Sequence, residues 1–276
     1  MYKRQLWSSA FITTKPIIDN SDPFAALAFR FFFVAVGFLL FSLYSKYSII
    51  IKRKNLIESV LSGVLFHGLY LGGVFYSISI GMPTSIAALI VTLQPILTNI
   101  LSGPILNEKV TLKQWIGVLL GFLGATLVLG LDLGSKIPLL GLVATLIALI
   151  SITASTIWQK KLSNNLPLSV SNFYQAIGGC FFHILVVIFF AKPYIAFTKT
   201  FLLSMGHQIF LVSFGAFTIL MFLIKKNSAS KTVSIFFLIP ATSALMAWFF
   251  LKESLTAIDL LGFLITSIGV YIATRD

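Results

Sequence analysis

Arg30 is the residue whose type and place most clearly ask for a partner. It lies inside the apolar run Phe24 to Tyr44, and a cation at such a depth costs about 2.5–3.5 kcal/mol to insert into a bilayer. Two readings stay open. Either it faces a cavity, where the planar guanidinium holds a carboxylate through two parallel N–H donors, or it reaches to the nearby loop and pairs with Asp19 or Asp22. His67 and Tyr70 stand three residues apart on one apolar segment. An imidazole titrates near neutral pH and can carry a proton; the alternative is a neutral ring hydrogen-bonded across helices, and His183 has the same two readings. Gln94 and Gln175 are amides deep in apolar surroundings, able to bond a substrate but not to move a proton. Trp7 offers a flat ring for a planar substrate, or an anchor at the lipid interface. These six residues, Trp7, Arg30, His67, Tyr70, Gln94 and Gln175, form the predicted substrate-binding set.

Catalysis is not predicted. No HExxH, GxSxG or paired in-membrane aspartate motif occurs, and the three histidines fall on three different apolar segments. Cys180 is the only cysteine, so neither a disulfide within the chain nor a cysteine metal site is expected. No cofactor motif is found.

The elements that must position these residues are set by composition. The 276-residue chain is 58% hydrophobic and 10% charged, with a mean hydropathy of +0.99, where a soluble domain carries about 25% charged residues. A spanning helix needs about 20 mostly apolar residues, because lipid offers the backbone no hydrogen-bond partner. Nine stretches meet that length: Phe24 to Tyr44, Leu56 to Ile80, Pro83 to Leu106, Leu112 to Leu131, Pro138 to Trp158, Ser169 to Phe190, Phe201 to Ile224, Ala229 to Leu251 and Ala257 to Ala273. A tenth, Leu6 to Ile18, is too short and polar to span alone. The 20 Lys and Arg against 8 Asp and Glu sit in short clusters between apolar runs, which argues for topology signals and against a nucleic-acid partner. Lipid and a small-molecule substrate are the expected partners.

A fixed offset organises the chain. Pro95 and Pro240, Glu108 and Glu253, Gly117 and Gly262, Gly124 and Gly269 are each 145 positions apart, as are Ser85 and Ser230, and Thr111 and Thr256. Two copies of one unit, 1–131 and 138–276, are therefore predicted. Duplication within an apolar chain is the sign of a secondary transporter, whose substrate site lies where the halves meet. The offset sets Pro138 to Trp158 against the short first segment, which predicts a truncated first helix. Ten helices put five in each copy, and an odd number inverts the second copy in the membrane. With the N-terminus in the cytoplasm, 14 Lys and Arg fall on the inside and 4 on the outside, so both termini are expected to be cytoplasmic.

The repeated residues have structural readings too. Pro95 and Pro240 remove a backbone donor in mid-helix, giving a hinge or a static kink. Glu108 and Glu253 sit at turns, three residues ahead of Thr111 and Thr256. Thr111 with Gln114 has capping-box spacing, and Thr256 with Asp259 approximates it. Gly117, Gly121 and Gly124, with Gly262 and Gly269, permit close helix packing, either within the chain or in a homodimer.

Ser85-Ile-Ala-Ala-Leu, Gln94-Pro95, Leu106-Asn-Glu108-Lys-Val-Thr111 and Gly117, repeated loosely from Ser230 to Gly269, together with Trp7-Ser-Ser, Lys15, Pro23 and Arg30 near the start, resemble EamA-type proteins of the drug/metabolite transporter superfamily. The resemblance implies an all-α integral membrane fold, a ten-helix bundle of two inverted five-helix repeats around a central cavity that Trp7 faces. It also implies export of amino acids, related metabolites or drugs across a bacterial inner membrane. One departure stands out: many members carry an acid before the fourth-helix proline, where this chain has Gln94, and Ile239 in the second copy. An amide there cannot carry a proton. With no acid in mid-membrane, Arg30 tilts the expectation toward amino acids or organic anions and away from cationic drugs. A non-transporting scaffold or receptor is the alternative from another class; it leaves the repeat unexplained.

Overall fold

The computed structural model describes residues 13–130, 137–162, 166–190, 193–238 and 256–275. They form an all-helical bundle, with no strand among the described residues beyond the isolated bridge between Ser21 and Ile195. Eight helices are long and apolar enough to cross a membrane. They are α1 (Pro23–Tyr44), α2 (Arg53–Ser79), α3 (Thr84–Leu106), α4 (Leu112–Leu129), α5 (Leu139–Leu162), α6 (Leu168–Phe190), α7 (Lys199–Lys226) and, after a further helix α8 (Ala229–Ser234), α9 (Ala257–Thr274). Residues 13–18 are also helical. The stretch expected from Ala229 to Leu251 is described only through Leu238, and Trp7, Pro240 and Glu253 lie outside the described residues.

Local chemistry sets where these helices begin. Asp22 accepts from the N–H groups of Phe24 and Ala25 and opens α1, with Pro23 in the first turn, where a missing N–H costs nothing. Thr111 and Gln114 close a full capping box on α4, and Thr256 with Asp259 closes another on α9. The shorter aspartate serves as well as a glutamine there, bonding both the Thr256 backbone and its hydroxyl.

Glu108 does something the spacing did not suggest. Its carboxylate accepts from the backbone N–H groups of Ala229 and Ser230, so it serves the start of α8 rather than the nearby α4. Those are orphan donors of a helix N-terminus, where negative charge is favoured.

Pro95 also differs from expectation. Instead of kinking a continuous helix, it sits in the first turn of Gln94–Leu106, after Thr84–Val91 has ended and Thr92 and Leu93 have formed a turn. The helix restarts where the ring needs no donor, so a break replaces the expected bend.

The glycines pack helix on helix. A Cβ on Gly117 would strike the backbone of Gly269 and Ala273, and one on Gly124 would strike Gly262 and Thr266. Rising numbers on α4 meet falling numbers on α9, so the two run antiparallel with backbones nearly touching. The same economy brings α2 against α6, where Gly63 faces Gln175 and Gly178 faces Val60. Small residues at such crossings gain the close packing that lipid-solvated helices rely on. The Gly117–Gly121–Gly124 face is thus occupied within the chain.

Both α2 and α7 change winding at mid-length, into π-helix over Val64–Tyr70 and Gln208–Phe217. Shifting Val64–Tyr70 by 145 gives 209–215, inside the second segment. Such insertions are uncommon and occur often at functional sites.

Candidate functional site

The two π-helical segments face one cavity of about 510 Å³ including its mouth, lined by Arg30 of α1, His67 and Tyr70 of α2, Gln208 and Ser213 of α7, and Thr14. Its walls are otherwise apolar, chiefly Phe66, Phe75 and Phe217. Of the six predicted binding residues, the fold brings Arg30, His67 and Tyr70 together here. Gln94 and Gln175 lie elsewhere, and Trp7 is outside the described residues.

Arg30 is 3% exposed. Its Nε and Nη2 both donate to the Ser213 hydroxyl, at 3.0 and 2.9 Å, and Nη1 donates to Gln208 Oε1 at 2.6 Å. Gln208 is itself braced by donating to the Thr13 hydroxyl. Of the two readings of Arg30, reach to the loop acids does not occur: Asp22 is engaged in capping α1, and Asp19 pairs with Lys15. No carboxylate approaches the guanidinium among the described residues. Its partners are neutral oxygens, and two of its five N–H donors remain uncommitted.

The acids among the described residues are Asp19, Asp22, Glu58, Glu108 and Asp259. A buried, hydrogen-bonded but uncompensated cation is costly. Three hydrogen bonds to Ser213 and Gln208 hold it in place.

His67 packs between Phe31 and Phe217, ring centroids 4.4 and 4.6 Å away, and its carbonyl bonds His183 Nε2 at 2.9 Å. His183 therefore ties α6 to the π-helical part of α2, as the cross-helix reading has it. Among the described residues the His67 ring meets no hydrogen-bond partner at Nδ1.

Gln94 stands at the break in α3 and donates to the Thr156 hydroxyl of α5 at 3.0 Å, away from the cavity. Gln175 belongs to a separate, smaller pocket where α5, α6 and α7 meet near Leu162. It accepts from Gln159 Nε2 and donates to the Ser171 hydroxyl.

Thr14, Gln208, Ser213, Gln159 and Asn172 were not singled out from the sequence. Gln208 and Ser213 could have been found as polar residues inside an apolar run, and Gln159 as the residue 145 positions after Thr14.

Comparison with known proteins bears on the family and the fold. The EamA-like transporter family matches the chain over residues 5–130 and again over 139–275. An uncharacterised transporter of Bacillus subtilis (strain 168), YvbV, is 27% identical over 221 residues, covering 76% of this chain and 68% of its own. A protein of Escherichia coli (strain K12) named "probable amino-acid metabolite efflux pump" is 23% identical over 287 residues, covering 97% of this chain and 90% of its own. A solved crystal structure superposes with a TM-score of 0.83 at 18% identity, covering 99% of this chain and 93% of the other, and so shares the fold.

Proposed function

The chain belongs to the EamA-like transporter family, and on that premise we propose that it is an inner-membrane secondary transporter that exports amino acids or related small metabolites by alternating access. One observation carries the substrate side of this reading: a buried guanidinium with no acidic partner among the described residues, at a cavity between segments from both halves of the chain. The substrate carboxylate takes the two uncommitted N–H donors, a charge-assisted arrangement whose bonds are worth about 1.5–3 kcal/mol each. The aromatic wall takes the substrate's body. A cationic drug meets the like charge of Arg30 there.

The architecture proposed is ten helices in two inverted five-helix repeats, 1–131 and 138–276, with both termini cytoplasmic. Three features support it. The equivalent helices α4 and α9 pack antiparallel through matched glycines; the π-helical segments recur at the repeat offset; and the family match falls in two consecutive stretches. Each end of the bundle also has its own cross-links. Asp22 N–H to the Tyr194 carbonyl and Ala196 N–H to the Asn20 carbonyl close one end, while Glu108 to α8, Lys160 to the Ile224 and Asn227 carbonyls, and the Tyr174 hydroxyl to the Ile49 carbonyl close the other. Alternating access consists of loosening one set while the other holds.

The test is counterflow in proteoliposomes over a panel of labelled amino acids. Accumulation of at least one carboxylated substrate against unlabelled substrate inside is expected; no accumulation over protein-free liposomes for any member of the panel refutes the reading.

A further inference from the structure

Lys160, near the end of α5, meets the C-terminus of a different helix. Its Nζ donates to the carbonyls of Ile224, at 2.9 Å, and Asn227, at 2.6 Å, in the last turn and the cap of α7. Carbonyls at a helix end lack onward partners within the helix, and the negative end of the dipole favours a cation beside them. The three donors of an ammonium on a flexible stem suit two such acceptors at once. These bonds tie α5 to the point where α7 stops and α8 begins.

The repeat offset supplies the same parts again. Shifting by 145 turns Lys160 into Lys15, Ile224 into Ser79 and Asn227 into Met82. Ser79 ends α2, and Pro83 offers no N–H where the next helical donor to its carbonyl would fall. Among the described residues no backbone N–H bonds the Ser79 or the Met82 carbonyl, and Met82 is buried, where an unpaired carbonyl is costly. Lys15 does not meet them here: it pairs with Asp19 at 3.3 Å, its side chain 73% exposed. Thr14, beside Lys15, shares the larger cavity with Leu71, Val74 and Phe75 of α2. Narrowing the cavity at this end therefore carries Lys15 toward Ser79, about one helical turn beyond Phe75.

We propose that Lys15 and Lys160 are the two arms of a reciprocal latch. In this structure Lys160 holds the end of α7 while Lys15 is parked on Asp19; in the other state of the cycle Lys15 takes the Ser79 and Met82 carbonyls and Lys160 releases Ile224 and Asn227. Each state then satisfies one pair of helix-end carbonyls and leaves the equivalent pair unmet, so the two states stay close in energy. The proposal rests on the transport reading above and adds to it the residues that hold each state.

The test uses the full-length chain in proteoliposomes, carrying Cys180→Ser and pairs of spin labels on introduced cysteines, with distances read by pulsed electron resonance. Ser79→Cys with Tyr194→Cys spans the Lys15 end: both side chains are exposed, their backbone carbonyls remain, and the Tyr194 carbonyl is bonded to Asp22 in the turn after residues 13–18. Lys161→Cys with Lys226→Cys, also exposed, spans the other end. Lys160→Met is expected to shorten the 79–194 distance and lengthen the 161–226 distance, moving the populations by at least about threefold through loss of bonds to a charged group. Lys160→Arg should restore the wild-type distances, and adding Lys15→Met to Lys160→Met should abolish the shortening. If Lys160→Met does not fold, Asp19→Asn, which frees Lys15 at an exposed position, should shorten the 79–194 distance in its place.

The proposal is overturned if the folded variants leave both distances unchanged, or if the shortening persists when Lys15 is replaced. Counterflow separates this failure from that of the transport reading. Wild-type counterflow with unmoved distances refutes the latch alone, whereas distances that move as expected in a chain without counterflow support the latch and refute transport.

Discussion

Helices α4 and α9 stand 145 residues apart at both ends, and each begins at a threonine that closes a capping box with the residue three ahead. Arg30 and Gln175 stand 145 apart as well, yet one is a cation bonded to Ser213 and Gln208 and the other an amide bonded to Gln159 and Ser171. His67 likewise has Val212 as its counterpart. Where the halves pack on each other, the residue types stayed matched, because a Cβ on either glycine face strikes backbone. Where the walls meet empty space, the residue types diverged. A scaffold matched twice by one family therefore holds two pockets lined by different side chains.

Matched substitutions probe the scaffold half of this comparison, and they carry the largest effect. Gly117→Leu and Gly262→Leu each drive a side chain into the opposing helix. Both should lose at least about 1–3 kcal/mol through overpacking, read as a fall in melting temperature or a loss of monodisperse protein. Gly206→Ala, with nothing within 4 Å of the added carbon, is the control and should lower neither. A large fall for only one of the pair would break the equivalence of the two halves.

Next in size is Ser213→Ala, which removes the oxygen that accepts two bonds from Arg30. Hydrogen bonds to charged groups are worth about 1.5–3 kcal/mol, so transport KM should rise about tenfold or more. Its counterpart at the repeat offset is Gly68, which has no oxygen to lose, so this effect sharpens the contrast between the pockets.

Smaller again is Glu108→Ala. It strips both orphan donors of α8 and should cost about 0.5–2 kcal/mol, in the range of helix caps, measured by thermal unfolding. The mildest pair is Thr111→Ala and Thr256→Ala, each about 1 kcal/mol. Equal shifts in melting temperature are expected; a twofold difference would show that the two capping boxes bear unequal load.

The sequence carried the helices and their limits well, because apolar runs of the required length leave few alternatives in lipid. It carried the glycine faces and the caps for the same local reason: Thr111 and Gln114 are three residues apart and need nothing remote. What it could not carry was the company of each buried polar residue. Gln208 and Ser213, both in the π-helical segment of α7, meet Arg30 across 178 and 183 residues. Glu108 reaches α8 across 121 residues, a contact that local capping rules do not encode. Gln94 looked equivalent to the cavity residues by polarity alone, yet the break before Pro95 directs it to Thr156. Proximity along the chain predicted caps; it could not predict pockets.

The most direct check of the account compares proteoliposome counterflow of one carboxylated substrate by wild type and by Arg30→Gln, at equal amounts of folded protein. A guanidinium that anchors the carboxylate predicts at least a tenfold loss for the variant, with partial recovery in Arg30→Lys, which restores charge without the fork. An Arg30→Gln rate equal to wild type would contradict it.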